Sequence, residues 1–540
     1  MKKFFSLLLT GVMSAMLLAG CGNTANDPGS ASFSTPPAGE EERSITIAQS
    51  ANFSMGFAPG VQSYEATYYM NNFYEGLVEY QDGEYLPCLA TDWVASDDGL
   101  TYTFHLRDDV QFNDDTAFNA EAVKLYFDNM KSVIGTSANY GQLDMLTTEI
   151  TVDDEYTVSF HLSRPYYNVL NDLSMVMPRG ILSAAAFNED GSLNTEYLMT
   201  HTPGTGPYMF ESVNETATEY TFVKNPNYWG QEPDVDRFTV KVIPESKVAA
   251  MRAGEVDFIM GSDTLDANSY LELSQVEGIT GVISDFDFVT EFIALNDEVA
   301  PLDDLNVRTA IQMAIDKESI AQNIYSGLRT KADSVMPADM PYCTATVPTP
   351  DYDMDGAIAL LEDSGWVDSN GDGIREKDGV KLTVRWLTYP SRQELPLLAE
   401  SAQATLKDIG MEVDINCTAN RREFLADMNS WDVYASAMVT APSGDPQYFF
   451  TSCCVPGMSY NFGGYDNAEV TEMVSRLAGE FDTARRSELA IRLQQAILDD
   501  NAYVFCSFLE MNMISRSYVT GYTAHACDYY QVTADLDIQR

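Results

Sequence analysis

The sequence predicts an α/β protein with at least two lobes. Beyond residue 43 the chain has a body of roughly 500 residues, which is more than one hydrophobic core organises. Within this body, stretches with the period of a strand alternate with stretches with the period of a helix. Because each kind of element has to bury one apolar side, such an alternation predicts sheets covered by helices.

The N-terminal segment has the pattern of a lipoprotein signal peptide. It combines two initial lysines with an apolar run from Phe4 to Leu18 and the tetrapeptide Leu18-Ala19-Gly20-Cys21. The apolar run is too short and too lightly flanked for a resident transmembrane helix, so we expect residues 1–20 to be cleaved. The small residues before Cys21 predict that its sulfur carries a lipid and holds the protein at the extracytoplasmic face of a bacterial membrane. The alternative is an ordinary secretory signal, which would give a free protein.

Residues 21–43 are predicted to form the lipidated cysteine and a flexible tether. The segment is rich in Asn, Ser, Thr, Pro and Gly, and Phe33 is its one large apolar side chain. It cannot bury enough apolar area to offset the entropy lost on ordering. Order is expected to begin near Ile45, where the residues alternate with strand period.

The chain is strongly acidic, with 31 Lys and Arg against 81 Asp and Glu and a net charge of -50. Such a charge repels nucleic acid and anionic lipid headgroups. We therefore expect no nucleic-acid partner, and membrane contact only through the lipid. Because basic residues are scarce, an arginine in an apolar stretch is a candidate site residue.

The cysteines and histidines predict neither a disulfide framework nor a zinc centre. Setting aside Cys21 from the eight cysteines leaves seven, an odd number without a repeated spacing. The adjacent Cys453 and Cys454 are expected to be packing thiols or a strained disulfide, with a soft metal site as the alternative. The four histidines lack the spacing of zinc ligands, and no cofactor is expected.

Periodicity locates several elements of the α/β body. Residues 100–106 and 155–162 alternate apolar and polar side chains, as half-buried strands do. Asn119 is suited to cap the helix that follows it. Further along, the pattern predicts helices over 307–324, 354–364 and 394–409 and a buried strand over 382–388.

Seven stretches spread along the chain form a recognisable set: Tyr74-Glu-Gly-Leu-Val, Asp98-Gly-Leu-Thr-Tyr-Thr-Phe-His-Leu-Arg-Asp-Asp-Val-Gln-Phe, Gly204-Thr-Gly-Pro-Tyr, Asn225-Pro-Asn-Tyr-Trp-Gly, Ala314-Ile-Asp-Lys, Leu360-Leu-Glu-Asp-Ser-Gly-Trp and Asp445-Pro. In this order they resemble the family-5 solute-binding proteins of ABC importers. Known members of that family capture peptides, nickel complexes or opine-type metallophores. The set spans nearly the whole chain after Cys21, which makes it more specific than any one motif.

The resemblance implies a two-lobed periplasmic-binding-protein-like fold of type II, in the large cluster with an extra subdomain in lobe I. Two hinge crossovers would join the lobes, near residues 286–295 and 506–515, and closure would enclose the ligand. The implied division after the signal peptide and tether is lobe I at 44–287 plus 508–540 and lobe II at 288–507.

Arg179 is the candidate ligand-binding cation. It lies inside the apolar stretch from Leu173 to Leu182, and a buried guanidinium needs an anionic partner. The segment from Arg164 to Arg179 resembles the nickel-binding and opine-metallophore-binding members, and the resemblance implies that Arg179 grips a carboxylate of the ligand. The alternative is a salt bridge to an acidic residue of the chain itself.

Pro442 argues against a peptide bound in the usual mode. Peptide-binding relatives hold the ligand's α-amino group with an Asp three residues before their Asp-Pro motif, and here that motif is Asp445-Pro446. A proline at the earlier position cannot neutralise an ammonium group. The Ala441-Pro442 pair instead resembles the nickel-binding branch, so a nickel or other metal–metallophore complex is the predicted ligand and a di- or oligopeptide is the alternative.

The likeness to the nickel-binding branch is incomplete around this loop. The Trp and Tyr of that branch correspond to Thr440 and Gly444, so a different aromatic wall is expected. Bare nickel would need a fuller set of protein ligands, and a metal complex with a carboxylated small molecule fits better. The candidates for the wall are Tyr140, Tyr434, Met438 and Tyr448.

One loop has oxygen-bearing side chains at alternate positions, Asp368, Asn370 and Asp372, followed by Gly373. This is the spacing of a calcium loop. The position that should supply a bidentate acid is Gly379, so the loop is incomplete. An acidic turn is the main interpretation, and a calcium site is the alternative.

A transport receptor is expected rather than an enzyme. The sequence has no Gly-x-Ser-x-Gly elbow and no His-Glu-x-x-His motif. We expect a monomer that captures a small-molecule ligand and docks on the permease subunits of an ABC transporter. An extracellular hydrolase or a surface adhesin on the same scaffold is the alternative of another class.

Overall fold

The structure, a computed structural model, describes residues 42–61, 64–81, 83–134, 141–260, 265–284, 289–338, 340, 342, 349–392, 394–442, 444–524 and 532–539. The predicted signal peptide, Cys21 and Tyr140 lie outside these ranges. By its internal contacts, Arg43–Arg540 is one compact unit.

Strands and helices alternate along the described residues, as the sequence predicts. The strands are β1 Ser44–Gln49, β2 Val78–Gln81, β3 Glu84–Pro87, β4 Ala90–Ala95, β5 Thr101–Leu106, β6 Thr147–Asp154, β7 Thr157–Leu162, β8 Tyr208–Val213, β9 Glu219–Lys224, β10 Arg237–Val242, β11 Phe258–Ile259, β12 Ile279–Ile283, β13 Val289–Leu295, β14 Arg329–Lys331, β15 Glu376–Lys377, β16 Val380–Lys381, β17 Thr383–Thr388, β18 Glu412–Cys417, β19 Val433–Val439, β20 Tyr503–Leu509, β21 Asn512–Arg516, β22 Val519–Thr520 and β23 Asp537–Ile538. The helices are α1 Met70–Phe73, α2 Ala120–Ile134, α3 Leu143–Leu146, α4 Val169–Ser174, α5 Val176–Arg179, α6 Thr195–Leu198, α7 Lys247–Ala253, α8 Ala267–Leu273, α9 Leu305–Ala314, α10 Lys317–Ser319, α11 Met354–Asp363, α12 Glu394–Asp408, α13 Arg421–Leu425, α14 Gln447–Cys454, α15 Ala468–Ala478 and α16 Thr483–Asp499.

Lobe I is built on a sheet whose described strands run in the order β12-β21-β11-β1-β10-β9-β8. In its middle, β1 pairs in parallel with β10 and β11, and Ile45 and Ile47 are buried in the main core of this lobe. An antiparallel sheet, β4-β5-β7-β6, contributes to the same core through Phe104 and Phe160. The alternating residues that predict β1, β5 and β7 therefore bury their apolar side in one shared core.

Lobe II is built on a sheet in the order β14-β20-β13-β19-β17-β18. Successive side chains of β13 point to opposite faces. Ile293 and Leu295 pack with residues of α9, α11 and α12, whereas Phe292 and Ala294 pack with residues of α14, α15 and α16. Because helices cover both faces, every residue of β13 is buried, including the polar Thr290 and Glu291.

Two connections run between the sheets. The chain leaves lobe I after β12 and enters lobe II at β13, and it returns between β20 and β21. Ser284 and Met511 tie the connections together, since the Ser284 N–H donates to the Met511 carbonyl at 2.8 Å and the Met511 N–H donates to Ser284 Oγ at 2.9 Å. The predicted two-lobed α/β fold class is confirmed, and the lobe boundaries at 287/288 and 507/508 stay predictions.

The single helix predicted over 307–324 is wrong. Helix α9 ends at Ala314, Ile315 is extended with φ -98° and ψ 109°, and the side chain of Asp316 then accepts a hydrogen bond from the Ser319 N–H. An aspartate that caps a new turn competes with continuation of the preceding helix. The other predicted strands and helices are present, including the Asn119 cap, whose Oδ1 accepts from the Ala122 N–H at 3.0 Å.

Four of the stretches that carry the family resemblance meet around the carboxyl group of Glu75. Thr205 Oγ1 and Trp229 Nε1 donate to Glu75 Oε2 at 2.7 and 2.8 Å, and the Arg107 guanidinium lies 4.1 Å from the centre of the Trp229 ring. Burial raises the pKa of Glu75 to about 7, although the hydrogen bonds from Trp229 and Thr205 lower it. These stretches are thus part of the scaffold of lobe I.

Candidate ligand-binding site

A cavity lies between the lobes, where α4 of lobe I faces α14 of lobe II. Its free volume is about 10 Å³, roughly the space that one water molecule needs. A small molecule can therefore bind there only when the lobes move apart. The polar and aromatic lining comes from lobe I at Gln142, Tyr166, Asn168, Asn171 and Asp172 and from lobe II at Asp445, Gln447, Tyr448 and Thr451.

Helical spacing places the polar groups of α4 on one face of the cavity. Asn168, Asn171 and Asp172 lie three and four residues apart at α4 and share one side of it, while Val169 and Leu173 are buried in the core of lobe I. None of these three residues is among the site residues predicted from the sequence. The signal was available, because a polar i, i+3, i+4 pattern interrupts an apolar segment.

A direct contact between the lobes forms at one side of the cavity. Asn168 Nδ2 donates to Asp445 Oδ1 at 2.7 Å. Arg486 holds the same carboxylate, with Nη2 at 2.7 Å from Oδ1 and Nε at 3.0 Å from Oδ2, and its guanidinium lies 4.2 Å from the centre of the Tyr167 ring. We call Tyr167, Asn168, Asp445 and Arg486 the interlobe clamp.

A second contact between the lobes passes through Gln142. Its Nε2 donates to Thr451 Oγ1 at 3.0 Å, and its Oε1 accepts from Arg164 Nη2 at 3.0 Å. Arg164 Nη1 in turn donates to Ser475 Oγ of lobe II at 3.0 Å. With the clamp, these bonds describe a closed arrangement of the lobes.

Arg179 is completely buried and is held by acidic residues of the chain. Its Nη2 and Nε donate to Asp144 Oδ2 at 2.5 and 3.1 Å, and Nη2 lies 3.8 Å from Asp172 Oδ2. Asp172 lines the cavity. Burial raises the pKa of Asp172 to about 6, although the Arg179 guanidinium lowers it. This is the geometry of the salt-bridge alternative, and a ligand-binding role for Arg179 stays a prediction.

The other predicted site residues are not all brought together. Tyr448 lines the cavity. Tyr434 is buried in the core of lobe II that includes α9 and α12, and Met438 packs against the core on the opposite side of the sheet. Tyr140 lies outside the described residues. A direct ligand contact of each stays a prediction.

The calcium-loop candidate is an exposed turn in lobe II. One oxygen atom each of Asp368, Asp372 and Glu376 lie within 4.8 Å of one another. The Asp368 carboxylate accepts two backbone N–H groups of the loop at 2.7 and 2.9 Å, Asn370 Oδ1 accepts a third at 2.8 Å, and Asp372 Oδ2 accepts from Lys381 Nζ at 2.7 Å. The loop is closed by its own hydrogen bonds, as an acidic turn is, and calcium binding stays a prediction.

The adjacent cysteines Cys453 and Cys454 are the candidate soft-metal ligands. Cys453 and Cys454 of α14 are buried free thiols. Burial raises the pKa of both thiols well above the usual range, which disfavours the thiolate form that a soft metal binds.

Among the described helices, none combines the length and the apolarity needed to cross a membrane.

Comparison with known proteins gives one consistent relationship. Residues 84–460 match the family model described as bacterial extracellular solute-binding proteins, family 5 Middle. The chain is 28% identical to the nickel-binding periplasmic protein of Escherichia coli (strain K12), over 82% of this chain and 85% of that protein. It is 27% identical to the dipeptide-binding protein of the same strain, over 83% of this chain and 86% of that protein. Among solved structures, it is similar to NikA from Brucella suis in complex with Fe(III)-EDTA, with a TM-score of 0.83 and 25% identity over 92% of this chain and 100% of that chain.

Proposed function

Because the chain belongs to family 5 of the bacterial extracellular solute-binding proteins, we propose that it is a receptor of an ABC importer, anchored at the extracytoplasmic face of the membrane by a lipid on Cys21. It captures a small molecule between its lobes and delivers it to the permease subunits, without catalysing a reaction. The observation that carries this proposal is the cavity, whose polar lining comes from both lobes. A ligand that contacts both lobes at once stabilises the closed form.

We propose a nickel or other metal–metallophore complex with carboxylate groups as the ligand. The relative from Escherichia coli binds nickel, and the Brucella suis structure holds iron in a polycarboxylate chelator. The described lining contains no His or Cys side chain, so the metal would arrive with its own ligands. Pro442 lines the cavity, where it offers no charge to an α-amino group.

A ligand carboxylate would reach Arg179 by exchange with Asp172. The separation of 3.8 Å between Arg179 and Asp172 is longer than the 2.5 Å between Arg179 and Asp144. If a ligand carboxylate replaces Asp172 beside Nη2, the Arg179 guanidinium is still paired with two carboxylates, those of Asp144 and of the ligand. Protonation of Asp172, whose pKa burial raises to about 6, favours this exchange.

A di- or oligopeptide is the second candidate. The dipeptide-binding relative is nearly as similar as the nickel-binding one, and two carboxylates, Asp172 and Asp445, lie in the lining. Both already accept hydrogen bonds from the chain, so a peptide ammonium would have to compete for them. This competition favours the metal complex.

Thermal unfolding of the Cys21→Ser protein with added compounds separates the candidates. We expect the midpoint to rise with nickel(II) plus L-histidine or with Fe(III)-EDTA, by the equivalent of about 2.7 kcal/mol at a hundredfold excess over Kd. Nickel(II) alone and a panel of dipeptides are the comparisons. A rise only with dipeptides would replace the metal complex by the peptide. No rise with any of them, together with no small molecule in native mass spectra of protein from its own host, would contradict the receptor proposal.

A further inference from the structure

Gln447, the first residue of α14, has a side-chain carbonyl oxygen without a hydrogen-bond partner among the residues that the structure describes. The residue is 2% exposed and lines the cavity. Its Nε2 donates to Thr451 Oγ1 at 2.7 Å and approaches the Val474 carbonyl oxygen at 3.5 Å. Because the Val474 carbonyl can only accept, the amide nitrogen has to face it, and Oε1 faces the other way. Among the described residues, Oε1 has no hydrogen-bond donor.

A buried acceptor without a donor costs the full desolvation of that group, and native proteins rarely leave one. Of the amide groups that line the cavity, Gln142 Nε2 donates to Thr451 and Asn168 Nδ2 donates to Asp445. In the closed arrangement, no residue that the structure describes donates to Gln447 Oε1. A bound molecule can supply one.

We infer that Gln447 is a specificity-determining residue of this cavity, and that its Oε1 accepts a hydrogen bond from an N–H group of the ligand. The inference rests on the proposed function and narrows it. A site built to receive an N–H group rejects an analogue that lacks it, because the acceptor is then left unpaired.

A metal chelate with amine nitrogen supplies such a donor. Coordination to a metal ion draws electrons from an amine and makes its N–H more positive, which strengthens the hydrogen bond that it donates. The expected ligand class is thus a metal chelate with primary or secondary amine, or imidazole, nitrogen. Chelators whose amines are all tertiary are expected to bind more weakly.

Two neutral nickel complexes test this class. Nickel(II) ethylenediamine-N,N′-diacetate has two amine N–H groups, and its N,N′-dimethyl derivative has none, while the charge and the carboxylates are the same. Kd is measured for both complexes by calorimetry with the wild type, Gln447→Met, Gln447→Glu and Gln495→Met. We expect the wild type to prefer the N–H complex by about tenfold or more. The preference should fall by about tenfold in Gln447→Met and return in Gln447→Glu, which keeps an acceptor oxygen.

Gln495→Met is the matched control, since it makes the same change at an exposed hydrogen bond of α16 outside the cavity, and it should keep the wild-type preference. Equal preferences in the wild type and Gln447→Met would overturn the inference and leave the proposed function standing. If neither nickel complex binds the wild type, the metal-complex proposal fails, and the comparison is repeated with L-alanyl-L-alanine and its N,N-dimethyl derivative. The inference is also overturned if the wild type and Gln447→Met prefer the unmethylated dipeptide to the same degree, or if the wild type binds neither dipeptide.

Discussion

Asn168 of lobe I donates a hydrogen bond from Nδ2 to Oδ1 of Asp445 in lobe II over 2.7 Å. Asp445 is also paired with Arg486, whose guanidinium stacks on Tyr167 of lobe I. The clamp thus holds the lobes together through contacts of the chain itself. Because a small molecule binds in the cavity only when the lobes move apart, contacts that stabilise this closed arrangement compete with ligand binding.

Asn168→Asp should open the lobes, because it places a second carboxylate against Asp445. We expect a larger radius of gyration by small-angle X-ray scattering, and a ligand affinity stronger by about 1–3 kcal/mol, because the clamp no longer has to break before the ligand binds. Asn214→Asp is the matched control, since it adds the same charge at the exposed turn between β8 and β9. Equal radii and equal affinities in the two variants would show that the clamp does not control closure.

Asp172→Asn should strengthen the binding of a carboxylated chelate. The change removes the acid that competes for Arg179 Nη2, and we expect a gain of about tenfold, or 1.4 kcal/mol, at pH 7.5. In the wild type the same competition weakens as Asp172 is protonated, so affinity for Fe(III)-EDTA should rise as the pH falls through about 6. Calorimetry at pH 5.5 and 7.5 measures both effects. The same pH dependence in Asp172→Asn as in the wild type would contradict the exchange.

Arg179→Ala should destabilise the ligand-free protein. It would leave Asp144 and Asp172 buried without their cation, and removal of one partner of a buried ion pair costs about 3–5 kcal/mol. Urea unfolding measures the loss, and adding Asp144→Asn should recover part of it by removing one of the stranded charges. A wild-type free energy of unfolding combined with lost chelate binding would instead make Arg179 a ligand-binding residue with no structural role.

The amino-acid sequence predicts the elements whose signal is local. Period-two alternation located β5 and β7, and the Asn119 cap located the start of α2. The prediction of one continuous helix over 307–324 is wrong because Asp316 caps a new turn. An aspartate can lie within a helix or begin one, and the residues around it do not decide between these outcomes.

The candidate site depends on contacts that leave no local signal. Asn168 and Asp445 are 277 residues apart in the chain, and only the packing of the lobes brings them together. Arg179 was recognisable as a cation that needs an anion, yet Asp144 is one of 81 acidic residues, and the sequence alone cannot select it. The polar pattern of α4 could have been found, because it is local.

Glu75→Gln should change how stability depends on pH. The pKa of Glu75 is raised in the folded state, from 4.5 to about 7, so the folded protein binds more protons than the unfolded chain between these values. Below about pH 4.5, this proton adds about 3 kcal/mol to the free energy of unfolding. That contribution is lost as the pH rises through 7. Urea unfolding at several pH values should show that loss in the wild type and not in Glu75→Gln. Parallel pH profiles for the two proteins would contradict the raised pKa.

Cys21→Ser should separate ligand binding from transport. The variant keeps the whole body of the receptor, so we expect an unchanged Kd in solution. On the proposed function, it would lose the lipid that holds the receptor at the membrane. An anchored receptor would stay close to its permease at a high effective concentration. Cell fractionation should therefore find Cys21→Ser outside the membrane fraction, and uptake of the ligand by cells should fall. Cys417→Ser, which changes an exposed thiol of lobe II, should leave the membrane fractionation and the uptake unchanged. Cys21→Ser protein that still fractionates with membranes would contradict the lipid anchor.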